Sequence, residues 1–248
     1  MTGNSTKGGL NLIQQKESGD GCWSCGAMRA AHYCQSCGKV QPPRPVNYFT
    51  FFGLPRKLNL DVAALERDFY RLSRKLHPDT SVNATADEQG WSLEQSSHLN
   101  DAYRTLKDPI TRTEYLLHLE GAAMEEQSQA ATEKARASGQ LKKQIVPPEL
   151  LEEVFELNMQ LEELRAAKTL GEVDASLIRD LGQQKQHLES MLSKVDAELR
   201  ARWSDWDARI EHGATGEAQI AVRDRMVDIL NRRNYLRNLV RDVNEALG

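Results

Sequence analysis

Four cysteines in two pairs, Cys22-Trp-Ser-Cys25 and Cys34-Gln-Ser-Cys37, are the residues of this chain best suited to chemistry of their own. Each pair is a C-x-x-C knuckle, and eight residues separate the pairs. Four thiolates so spaced suit a tetrahedral ion such as zinc. Ligand type alone leaves rubredoxin-like iron and a thiol–disulfide redox pair open beside it. Gly26 and Gly38, each just past its knuckle, allow the tight backbone turn that such a hairpin needs. His32 stands next to the cluster, but with four sulfurs available it is expected to be a bystander. A complete shell of four cysteines leaves no position for water, so the expected role is structural and not catalytic. Clustering between Cys22 and Cys37 also favours a local metal site in a reducing compartment over a disulfide framework.

The second stretch with chemical potential is Lys75-Leu76-His77-Pro78-Asp79. Alone, His-Pro-Asp is ordinary turn chemistry, so its weight depends on the helix that presents it. Leu65, Phe69, Leu72 and Leu76 recur at helical spacing and share one face. Arg67, Arg71, Arg74 and Lys75 fall mostly on the remaining surface. Asp61 is expected to cap this helix, with Glu66 in its first turn. Pro78 must end it near His77, because proline lacks an N–H and disfavours helical geometry in the residue before it.

Other elements follow in order. Residues 1–20 read as a disordered lead, with neither an arginine-rich transit pattern nor an apolar signal segment. Residues 21–43 form the tetracysteine module, and Pro42, Pro43 and Pro45 make a stiff connector. This module reads as separable, so removing residues 1–40 is expected to leave the remainder folded. Over 48–120, an aromatic cluster (Tyr48 to Phe52) stops at Gly53-Leu54-Pro55 and leads into the basic helix. A further helix spans about 88–107, with Trp91, Leu99, Ala102, Tyr103 and Leu106 inward. Asp108-Pro109 ends it, and a short helix follows over 111–119. Residues 121–148 are a charged linker or insertion, read as partly helical. Three long helices over 149–248, the second running from about Asp174 to Ile210 and ended by Gly213 and Gly216, make an antiparallel bundle. The first carries Leu150, Leu151, Val154, Phe155, Leu157, Met159, Leu161 and Leu164, an apolar arc wider than one core stripe, so the helix is either deeply buried or offers part of that arc to a partner. The last carries Ile220, Met226, Leu230, Leu236, Leu239, Val243 and Leu247. The expected fold class is all-α.

A formal net charge of -4 disfavours wholesale nucleic-acid binding. No run of eighteen apolar residues argues for a membrane span. Paired catalytic carboxylates, a nucleophile motif and a glycine-rich phosphate loop are all missing, so no enzyme is expected.

Tyr48-Phe49 through Leu54-Pro55, the basic helix, His77-Pro78-Asp79, Asn100-Asp101-Ala102-Tyr103-Arg104-Thr105-Leu106 with Asp108-Pro109, and Arg112 through Tyr115-Leu116-Leu117 together resemble a J-domain. More narrowly, they resemble the HscB/Jac-type co-chaperones of iron–sulfur cluster biogenesis, whose metazoan-type members also carry two knuckles ahead of the J-domain. The resemblance covers Cys22 to the C-terminus and implies a helical hairpin followed by a three-helix bundle. It implies that Arg67, Arg71, Arg74, Lys75, His77, Pro78 and Asp79 meet a DnaK-type ATPase. It also implies that Leu151, Glu152, Phe155, Glu156, Met159 and, on the last helix, Tyr235 bind an IscU-type scaffold. Structural Zn2+ on Cys22, Cys25, Cys34 and Cys37, no organic cofactor, a mitochondrial matrix location and room for a weak homodimer complete the expectation; nucleic acid and membrane are not expected partners. Three rivals are a general J-protein for unfolded clients, a zinc-ribbon nucleic-acid adaptor and a C-x-x-C redox enzyme. The dedicated helical bundle argues against the first. Only Arg29, Lys39 and Arg44, with Trp23 and Tyr33, support the second, and nothing in the rest of the chain resembles the third.

Overall fold

The computed structural model describes residues 21–27, 32–81, 84–122, 150–172, 174–213 and 216–248. The lead over 1–20 and all but the first two residues of the 121–148 segment lie outside that set. Among the described residues every named element is a helix, and β pairing is confined to isolated bridges such as Tyr33 with Val40. The helices are α1 (Tyr48–Phe51), α2 (Val62–Leu76), a 3-10 turn (Pro78–Ser81), α3 (Ala86–Lys107), α4 (Pro109–Leu119), α5 (Leu151–Leu170), α6 (Ala175–Glu211) and α7 (Glu217–Leu247). None is long and apolar enough to cross a membrane. By contacts the chain divides into two compact units: 1–52 with 62–104, and 53–61 with 105–248.

In the first unit, α2 buries Leu65, Leu72 and Leu76, and half-buries Phe69, as its periodicity requires. Phe69 stacks on Tyr103 of α3 at 4.2 Å, and the Tyr103 hydroxyl donates to Glu66 Oε1 at 2.9 Å. Glu66 therefore serves a tertiary contact; with α2 beginning at Val62, it lies beyond the first turn where the sequence put it. Helix α3 opens with a capping box, in which Thr85 Oγ1 accepts the Glu88 N–H and Glu88 Oε2 accepts the Thr85 N–H.

The cysteine module is not separable in the way its sequence suggests. Val40 is a core residue alongside Phe51, Leu72, Leu76, Leu99 and Ala102, and Tyr33 packs against the same cluster. Trp23 meets Trp91 of α3 edge to face at 5.6 Å, and His32 stacks on Phe51 at 3.9 Å. Knuckle residues have few apolar neighbours in sequence, so they borrow the core of the helices.

The second unit is built on α5, α6 and α7. At 1.5 Å rise per residue, the 37 residues of α6 extend about 55 Å. Asp196 of α6 pairs with Arg233 of α7, and Glu198 with Arg225 and Arg232, so the two run antiparallel. Lys168 Nζ donates to the Ala246 carbonyl at 2.7 Å, which sets α5 parallel to α7. Leu157, Leu161 and Leu164 of α5, Leu181, Leu188, Leu199 and Trp206 of α6, and Met226, Leu230, Leu236 and Val243 of α7 fill the interior. Ile220, expected there, is exposed in the first turn of α7, and the inward stripe begins at Val222 instead.

Segment 53–61 and α4 group with this bundle for an identifiable reason. Buried Asp207 of α6 accepts the Leu58 N–H at 2.7 Å, the Asn59 N–H at 2.8 Å and the Asn59 side-chain amide at 2.9 Å. Next to it, Trp206 Nε1 donates to the Arg56 carbonyl at 2.9 Å. Asp207→Ala strands the N–H of fully buried Leu58 and is expected to lower the unfolding free energy by about 3 kcal/mol in a urea titration. Glu211→Ala, which removes only the exposed partner of Lys57, should change it by less than about 1 kcal/mol.

Candidate functional site

The two cysteine knuckles are near-copies of one another. Gly26 N–H donates to the Cys22 carbonyl and Gly38 N–H to that of Cys34, both at 2.9 Å, with φ of +71° and +76° at the two glycines. Cys22 N–H and Cys34 N–H close each turn onto Ala27 and Lys39 at 2.8 Å. Across the pair, Cys22 Sγ lies 3.7 Å from Cys37 Sγ and Cys25 Sγ lies 3.7 Å from Cys34 Sγ. All four sulfurs fall within 4.8 Å of one another. A tetrahedron of thiolates around an ion at about 2.3 Å has edges of about 3.8 Å, so the donor set fits a bound metal.

Electrostatics lead to the same fit. Burial opposes ionisation of Cys22, but the backbone N–H groups of Cys25 and Ser24 and the Cys37 and Cys34 thiols outweigh it and lower its pKa to about 6. For Cys25 the Ala27 N–H favours the thiolate, yet Cys37, burial, Cys34 and Cys22 together push it up to about 12. Four thiols at this spacing resist losing all their protons unless a cation compensates the charge. His32 takes no part: its Nε2 is 2.8 Å from the Phe51 carbonyl, and burial depresses its pKa. Gln41 supplies the outer contact, with its amide nitrogen 3.4 Å from Cys22 Sγ and 2.8 Å from the Lys39 carbonyl. Gln95 of α3 in turn donates to the Gln41 and His32 carbonyls at 2.6 and 3.2 Å. Neither glutamine is legible as a site residue in the sequence, because each works through carbonyls that only the fold brings within reach.

At the other end of α2, the chain leaves the helix at His77, whose N–H still bonds the Ser73 carbonyl at 3.0 Å. Pro78 to Ser81 then make a single 3-10 turn. The Leu76 carbonyl accepts both Ser92 Oγ at 2.7 Å and Ser96 Oγ at 2.6 Å, which fixes the end of α2 against α3. His77 Nδ1 accepts the Asp79 N–H at 3.3 Å and lies 3.5 Å from Asp79 Oδ2. Arg67, Arg71, Arg74, Lys75, His77 and Asp79 are exposed and Pro78 is half-buried. The arrangement is a charged turn at the end of a basic surface.

On α5, the inward side chains are Val154, Leu157, Leu161 and Leu164. Leu151, Phe155 and Met159 recur every fourth residue on another face and are 56, 68 and 55 % exposed. Glu152 and Glu156 flank them, also exposed. Tyr235 does not join this stripe. It is 5 % exposed, between buried Asn234 and Leu236, and burial raises its pKa. The resemblance implies Tyr235 on a binding surface; in the unbound chain its side chain is buried.

No family model matches the chain. The iron–sulfur cluster co-chaperone protein HscB homolog of Arabidopsis thaliana is 32 % identical over 168 residues, 67 % of this chain and 61 % of the relative. The mouse iron–sulfur cluster co-chaperone protein HscB is 28 % identical over 196 residues, 77 % of this chain and 78 % of that protein. The co-chaperone protein HscB homolog of Vibrio cholerae is 36 % identical over 121 residues, 49 % of this chain and 63 % of the relative. The chain thus spans about three fifths of the plant and bacterial relatives and over three quarters of the mouse one. Its fold is shared with the crystal structure of human co-chaperone protein HscB, at a TM-score of 0.56 and 22 % identity, covering 91 % of this chain and 97 % of that one. In sequence the chain is similar to HscB-type iron–sulfur cluster co-chaperones, and it shares the fold of the human HscB structure.

Proposed function

We propose that this protein is a two-ended adaptor that stimulates the ATPase of a DnaK-type chaperone and delivers to it an IscU-type iron–sulfur scaffold. The observation that carries the reading is the exposed His77-Pro78-Asp79 turn, fixed by the doubly bonded Leu76 carbonyl and continuous with Arg67, Arg71, Arg74 and Lys75. A basic face raises the association rate with an acidic surface by long-range attraction. The turn then makes short-range contacts: His77 as a shaped hydrogen-bonding group, Pro78 as its rigid support, Asp79 as a partner for a cation on the chaperone. Scaffold binding belongs to Leu151, Phe155 and Met159, whose exposure on α5 supports it, with Glu152 and Glu156 at the rim. One chain holding both partners raises the effective concentration of each for the other, without covalent chemistry of its own. Zinc on Cys22, Cys25, Cys34 and Cys37 is the resident ion of this reading, and it supplies folding energy. The reading includes the mitochondrial matrix as compartment, as the resemblance implies.

Stimulation of a DnaK-type ATPase, measured with and without an IscU-type scaffold, tests the whole. His77→Gln is expected to abolish stimulation at unchanged scaffold affinity; loss of both would trace the effect to folding. Leu151→Ala with Phe155→Ala is expected to weaken scaffold binding by more than about tenfold while chaperone stimulation without scaffold persists; unaltered affinity would remove the stripe from the interface. For the metal, elemental analysis should find zinc stoichiometric with the chain. The four thiols should resist a thiol reagent until a chelator is added, and chelation should lower the melting temperature, since the hairpin is part of the core around Val40.

A further inference from the structure

The metal hairpin reaches both stems of the His77-Pro78-Asp79 turn. On the α2 side, Tyr33 lies next to Cys34 and packs on the core cluster, with its ring beneath Lys75 Nζ, 5.9 Å from the centroid. One helical turn before Lys75, Asp68 grips the Arg71 guanidinium at 3.1 Å through Nε and 2.8 Å through Nη2, and Asp68 first, then the nearby Tyr33 hydroxyl, hold the Arg71 pKa above its usual value. On the α3 side, Lys39 Nζ is 2.7 Å from Glu88 Oε1, and Glu88 is the acid that closes the capping box of that helix. Tyr33 has little freedom to move: its backbone bridges Val40, and the next residue, Cys34, is tied to Lys39 and carries a metal-ligand sulfur.

We propose that Tyr33 is a positioning residue for chaperone docking: through it the four-cysteine hairpin holds Arg71 and Lys75 in the arrangement that the partner meets. The inference rests on the co-chaperone reading above. Free lysine and arginine side chains carry much rotamer entropy, part of which is lost when they are ordered on docking. An aromatic face under one cation and a hydroxyl against the other order them beforehand, so less is lost on association. An effect of this kind changes the concentration at which the co-chaperone acts and leaves the maximal stimulated rate alone. Arg67 and Arg74 have no such support from the hairpin among the described contacts, so the device selects the two cations that Tyr33 can reach.

The test uses full-length, metal-loaded protein and a DnaK-type ATPase, with direct binding to the chaperone as a second readout. Tyr33→Leu is expected to raise the half-maximal co-chaperone concentration and the Kd together by about three- to tenfold, with the maximal rate unchanged. Tyr33→Phe keeps the ring under Lys75 and loses only the hydroxyl, so its shift should be about twofold. In an Arg71→Ala, Lys75→Ala background neither substitution should shift the concentration further, because the groups through which Tyr33 acts are gone. Full additivity in that background, or an unchanged half-maximal concentration for Tyr33→Leu, overturns the inference. Should Tyr33→Leu lose metal or melt early, the Tyr33→Phe comparison with and without Arg71 decides it by the same criterion. Failure of the unaltered protein to stimulate any DnaK-type ATPase overturns the parent reading and this inference with it.

Discussion

Four sulfurs confined within 4.8 Å are the constraint on which the first unit depends. Thiolates so close repel, and a tetrahedral cation is what turns that repulsion into a crosslink between two knuckles. Once closed, the hairpin has Val40 and Tyr33 on one side and Gln41 on the other, and each meets something that the helices need. Val40 fills space among Phe51, Leu72, Leu76 and Leu99. Gln41 takes the Gln95 amide, and Lys39 meets Glu88 at the start of α3. Two helices around a short turn bury little on their own. Here the four-cysteine hairpin supplies part of the core around α2 and α3, so in the proposed reading an ion bound by it would be linked to the stability of the turn's surroundings.

Much of this was legible in the sequence where the signal is local. Knuckle spacing foretold the sulfur cluster, the Leu65-Phe69-Leu72-Leu76 spacing foretold the buried face of α2, and the ends of α6 and α7 fall where Asp174, Gly213 and Gly216 put them. Signals that need a partner from far along the chain were not legible. A valine after a knuckle looks like any valine, and only the fold makes Val40 a core residue that ties the hairpin to the helices. Tyr235 sits at a helical spacing compatible with either side of α7, and only the packing of its neighbours shows which side is inner. Thr85-Ala86-Asp87-Glu88 was a readable capping box, and with it α3 begins at Ala86, slightly earlier than hydrophobic periodicity alone suggests.

The second unit shows the same limit in a different form. Residues 53–61 follow an aromatic cluster and precede a basic helix, so continuity along the chain assigns them to that neighbourhood. One buried carboxylate is enough to assign them elsewhere. Two N–H groups in a loop have no helix to satisfy them, and removing them from water without acceptors costs about 1–3 kcal/mol each. Asp207 meets both, and Trp206 takes the Arg56 carbonyl beside them. Sequence composition carries no mark of that need, because the acceptor lies 149 positions from Leu58.

The two candidate docking surfaces differ in kind, and the difference suits an adaptor. Exposed cations on α2 would act at a distance: they would change how often a partner arrives, and salt screens them beyond a Debye length of about 8 Å. The Leu151, Phe155 and Met159 stripe has no reach, but an apolar side chain fully buried on contact contributes about 1.5–3 kcal/mol, which lengthens residence. In the proposed reading, a chain that held its client by the stripe and sampled the ATPase by the basic face would keep the client bound through repeated encounters with the chaperone. The stripe can do this only while it stays out of its own bundle. Val154, Leu157, Leu161 and Leu164 already satisfy the inner face of α5, so the bundle has no further demand on Phe155, and its ring stays available to a partner.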